Sequence, residues 1–189
     1  MADFGWLMLD TFTTFIERRL PAREETFLVL SLATFLVFTW TLRELFYNFP
    51  AFILSYNLGE ILVIAAYVLA FALLETLSAT LFLLTLSILL PAFALRDGFA
   101  YKASFALIAA AAISIHLQIV MTNQPKINAL LLEAAGGFGL WLVPVLLTRY
   151  LPPVRKIMLD VLDRLTIFSY LYLPLGVISL VVIVVRLLW

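Results

Sequence analysis

Apolar residues run through the chain in long blocks, and the polar positions that interrupt them mark where helices begin and end. Residues 4–20 set Phe4, Leu7, Met8, Phe12, Phe15, Ile16 and Leu20 at helical spacing among Asp3, Asp10, Glu17, Arg18 and Arg19. Too charged to cross a bilayer, residues 1–20 predict a helix lying in the membrane interface. Pro21 suits the first position of a new helix, and Glu24 and Glu25 in its first turn are favoured by the helix dipole. A first span follows at 26–46, with Trp40 inside or near its far boundary.

Residues 51–95 are interrupted by charge only at Glu60 and Glu75. One helix of that length would be about 68 Å long, against a hydrocarbon core of about 30 Å. The pattern therefore predicts a fold-back. Asn57 is placed as an N-cap with Glu60 reaching back from the third helical position, which starts a second span at 58–74. A tight turn is expected at Glu75-Thr76 and a third span at 77–95, although no Gly, Pro or Asn marks that turn. Arg96, Asp97 and Gly98 make a loop, and an alanine-rich fourth span covers 103–121. After the Thr122–Lys126 loop comes a fifth span at 127–148. Pro152-Pro153 open a second interfacial amphipathic helix at 152–165, striped by Val154, Ile157, Met158, Val161, Leu162 and Leu165. The sixth span, 166–188, is expected to bend at Pro174 and Gly176.

Composition turns this pattern into a class. The 189 residues are 65% hydrophobic, with 12 basic and 12 acidic residues, and the mean hydropathy is +1.11. Soluble domains carry about 25% charged residues; the 13% found here could not cover a water-facing surface. The expected fold is an all-α polytopic transmembrane helical bundle, one domain of five to six spans (six preferred) with two interfacial amphipathic helices. The expected location is a bacterial-type inner (cytoplasmic) membrane. Asp3 and Asp10 stand where a cleavable signal would carry its basic and apolar regions.

Orientation depends on residues 51–95. With six spans, five basic residues share the N-terminal side and seven the other, which gives no signal. If 51–95 cross once, the split becomes nine against three and puts the N-terminal side in the cytoplasm.

The counts also exclude chemistry. With no Cys, the chain has no disulfide, thiolate zinc site, iron–sulfur cluster or Cys nucleophile. A single His excludes the two-His metalloprotease pattern. No phosphate-cradling Gly loop, nucleophile elbow or Asp cluster within a span is present. Zero net charge without a basic block gives no expectation of a nucleic-acid partner.

Ionisable groups inside spans are costly and are functional candidates. Arg and Lys fall outside the expected span interiors, which leaves Glu60, Glu75, His116 and Glu133. Asn57 and Glu60 are read as a cap, not a site. Glu75 is a surface turn residue in a six-span chain and a mid-membrane carboxylate in a five-span one. His116 and Glu133 lie equally far from the loop centre between Gln124 and Pro125. A hairpin therefore brings them to one depth, about 9 Å below the interface. There they could form a polar clasp or a proton or cation site, extended by Gln118. Gly136, Gly137 and Gly139, with the alanines of the fourth span, point to close helix packing. No cofactor is expected apart from bound lipid. A haem or pigment on His116 is disfavoured, because a solitary helical His is more often hydrogen-bonded.

By elimination, the expected function is non-catalytic: an accessory, anchoring or scaffold subunit whose partners are the bilayer and other membrane subunits. The alternative is a small proton- or cation-linked transporter or channel using His116 and Glu133. A third reading is a membrane-perturbing or lipid-handling protein.

Overall fold

A computed structural model describes residues 20–91, 95, 97–123, 136, 137, 139 and 152–188. The expected interfacial helix at 1–20, apart from Leu20, lies outside the described residues, as does most of the fifth span at 127–148. The regular elements are four helices: α1 (Arg23–Ser55), α2 (Leu58–Leu89), α3 (Phe99–Asn123) and α4 (Pro152–Leu188). All four are long and apolar enough to cross a membrane.

α1 starts behind Ala22, whose carbonyl accepts from both the backbone N–H and the hydroxyl of Thr26. Pro21 therefore precedes the helix instead of opening it. α1 then passes its expected end at 46 and carries Pro50 within its length. The break comes at Tyr56 and Asn57, both in extended conformation.

α2 corrects the largest sequence expectation. Its 32 residues run through Glu75 and Thr76 without a turn, so the spans expected at 58–74 and 77–95 are one helix. Thr76, expected to help turn the chain, donates its hydroxyl to the Ala72 carbonyl at 2.8 Å, and Thr80 does the same to Thr76 at 2.9 Å. Such back-bonding satisfies the hydroxyl within the helix. α2 stops where Pro91 drives Leu90 into extended backbone (φ −81°, ψ 153°). Its length is about 48 Å, longer than a bilayer core of about 30 Å.

α4 brings a second correction. Residues 152–188 form one helix, so 152–165 is not a separate interfacial element. Pro152 and Pro153 occupy the first turn, where a missing N–H costs nothing. Nothing between them and Pro174 breaks the helix, and Thr166 bonds its hydroxyl to the Asp163 carbonyl at 2.6 Å.

α1 is the centre of the bundle. Its inner half packs Phe38 with Leu69, Ala72 and Leu73 of α2, and Tyr172, Leu173 and Leu180 of α4 join the same cluster. Nearer its start, Val29 meets Leu83 of α2 with Phe99 and Ala103 of α3, and Leu32 meets Ala100 and Leu162. These pairings make α2 antiparallel to α1, and α3 and α4 parallel to it. The starts of α1, α3 and α4 and the end of α2 thus gather at one end of the bundle. Asn123 and Pro152 lie at opposite ends. Large apolar side chains such as Phe71, Leu81 and Phe82 on α2 and Ile167, Leu171 and Leu187 on α4 face outward, as helices surrounded by acyl chains require.

Candidate functional site

A cavity lies between α1, α2 and α3. It has a volume of about 370 Å³. Its inner part is made of small or apolar residues: Ala33, Ala79, Leu107, Ala110 and Ala111. Toward the end where α1 finishes, the wall becomes polar and aromatic, with Trp40, Thr41, Arg43, Ser114 and Gln118.

Glu75 stands on the α2 wall of this cavity. It follows the start of α2 by about 26 Å and precedes its end by about 21 Å, so it lies near the middle of the helix. Among the described residues it makes no hydrogen bond or ion pair. Arg43 is engaged: one Nη donates to the Glu44 carboxylate at 2.6 Å, and the guanidinium lies 4.7 Å from the centre of the Trp40 ring. α1 continues twelve residues beyond Arg43, so it stands inside the helix. The signal was the apolar run after Glu44, which carries the helix on.

The cavity brings together two of the candidates, Glu75 and Gln118. His116 is not part of it. On a helix turning 100° per residue it points about 160° away from Gln118, and it is exposed. Glu133 lies outside the described residues. Gly137 is buried against the Ile113 side chain, which a Cβ would strike. Ile113 lies one helical turn from His116, on the same side of α3. A Cβ at Gly136 or Gly139 meets nothing within 4 Å among the described residues. Asn57 and Glu60 form a reciprocal cap at the start of α2: the Asn57 side chain accepts from the Glu60 N–H, and the Glu60 carboxylate from the Asn57 N–H, both at 2.9 Å.

A second polar cluster sits where three helices begin. Glu25 of α1 accepts backbone hydrogen bonds from Phe99 and Ala100 at the start of α3, with Arg155 of α4 nearby. The Arg155 guanidinium lies 5.3 Å from the Tyr101 ring centre. Glu25 is thus more than a first-turn residue of its own helix: it caps a neighbour, where the dipole favours an anion. Its pairing with a distant helix left no local sequence signal. Among the described residues, no group of three His, Asp or Glu is placed to hold a metal.

The fold defines a helical bundle with four helices able to cross a membrane. No family model, curated protein or solved structure matches the chain.

Proposed function

We propose that the chain is a non-catalytic integral membrane protein of five spans, acting as an accessory or anchoring subunit of a larger membrane assembly. The fifth crossing is assigned to 127–148, because α3 ends and α4 begins at opposite ends of the bundle. The supporting observation is that, among the described residues, the connections between helices offer little to water. α1 and α2 are joined by two residues, Tyr56 and Asn57, and α2 and α3 by nine, residues 90–98. Binding must then occur within the bilayer, to lipid or to other membrane subunits. With the one-crossing α2, the nine-to-three distribution of basic residues assigns the end where α1 starts to the cytoplasm of a bacterial-type inner membrane.

A second reading, the proton- or cation-linked transporter, is favoured by the cavity that reaches Glu75. The cavity adds Glu75 and Gln118 to the site expected at His116 and Glu133. One preparation separates the two. Gentle detergent extraction should yield a complex heavier than the chain, with a stoichiometric protein partner. A clean monomer with no partner, which on reconstitution carries a proton or cation flux lost in Glu75→Gln, would overturn the subunit reading in favour of transport.

A further inference from the structure

We propose that the cavity beside Glu75 is a binding site for an organic ammonium ion with a short apolar body. A carboxylate midway along a membrane-crossing helix is costly unless it is paired or neutralised, and Glu75 has no partner among the described residues. The other charge on the wall, Arg43, is bonded to Glu44 and lies over Trp40. The cavity therefore offers an entering molecule one uncommitted negative charge.

The remaining wall narrows the ligand class. A divalent metal takes six or more oxygen ligands, usually with several carboxylates, and among the described residues Glu75 is the only carboxylate lining the cavity. An anion would be repelled, and a neutral hydrocarbon would leave Glu75 unpaired. Ten of the sixteen lining residues are apolar, counting Trp40, which suits a hydrocarbon body. Ser114, on the α3 wall, adds an oxygen acceptor for an ammonium N–H group that Glu75 does not take. The volume of about 370 Å³ falls within the roughly 300–1,000 Å³ of small-molecule sites. This inference rests on the cavity alone and holds whether the chain is a subunit or a transporter.

The absence of native cysteine makes the test clean. Ala111→Cys puts the sole thiol on the cavity wall, and Tyr56→Cys puts one at the exposed connection between α1 and α2 as a control. Full-length protein in nanodiscs is treated with a water-soluble maleimide in the presence of n-octylammonium, octanoate or octanol. Octylammonium should slow labelling of Ala111→Cys while octanoate and octanol do not, and Tyr56→Cys should respond equally to all three. Adding Glu75→Gln should raise the octylammonium concentration needed for protection on the order of tenfold or more, as loss of a charged hydrogen-bond partner implies. Equal protection by the three amphiphiles, matching protection at Tyr56→Cys, unchanged protection in Glu75→Gln, or an Ala111→Cys thiol that never reacts would each overturn the proposal. The comparison of amphiphiles on Ala111→Cys alone decides the matter if the Glu75 variant does not fold.

Discussion

At the residue scale, small and hydroxylated side chains let four bulky helices approach one another. Ser31 and Thr34 on α1, Thr76 and Thr80 on α2 and Ser104 on α3 each bond the carbonyl four residues back, at 2.6–2.9 Å. They can therefore be buried without asking a neighbouring helix for a partner. Gly176 serves the same end on α4. A Cβ there would lie 2.9 Å from Leu73 Cβ and 3.0 Å from Phe38 Cζ, so the residue marked by sequence as a bend is a point of contact. Gly176→Val should destabilise the bundle by about 1–3 kcal/mol, the usual cost of overpacking, while Val177→Ala, on an exposed neighbour, should stay within about 0.5 kcal/mol. Chemical denaturation of the two variants in one detergent measures the difference, and equal stability would refute the close contact. The legibility of single residues was uneven for a physical reason. The Asn57–Glu60 pair is local and stands in the sequence as a pattern, whereas Glu75 and Gln118 come to line one cavity only through the packing of two helices around a third.

At the element scale, helix starts and stops were more legible than helix lengths. Asn57, Pro91, Gly98 and Pro152 each sit at or beside a boundary of the observed helices. Gly98 does so with a positive φ of 77°, which glycine adopts without strain. The error lay in counting 51–95 as one apolar block: residues 51–55 belong to α1, and Pro91 closes α2 early. What remains is a helix longer than the bilayer core but not twice as long, a mismatch that tilt can absorb. The two-residue connection between α1 and α2 leaves the cap with the work of starting α2 against the closely antiparallel α1. Asn57→Ala should therefore cost about 1 kcal/mol, within the roughly 0.5–2 kcal/mol range for such caps. Asn57→Asp, which keeps the acceptor, should recover most of it. Stability that is unchanged in Asn57→Ala when followed by denaturation would mean that packing alone fixes the start of α2.

At the scale of the whole molecule, the course of α2 decides both topology and charge asymmetry. A single crossing sends Tyr56, between α1 and α2, and Asp97, between α2 and α3, to opposite sides of the membrane; a fold-back at Glu75 would return them to the same side. It also groups Arg18, Arg19, Arg23, Arg96, Lys102, Arg149, Arg155, Lys156 and Arg164 against Arg43, Lys126 and Arg186, an excess that retains its side in the cytoplasm. The cysteine-free chain allows both points to be read with single thiols. In intact cells an impermeant maleimide should label Tyr56→Cys and spare Asp97→Cys, and permeabilisation should expose the second. Labelling of both thiols in intact cells, or of neither, would refute the single crossing. Labelling of Asp97→Cys alone would keep the fold and invert the orientation. That inversion would also move the polar part of the cavity wall, Trp40 to Arg43 on α1, from the half of the bundle nearer the outer face of the membrane to the half nearer the cytoplasm.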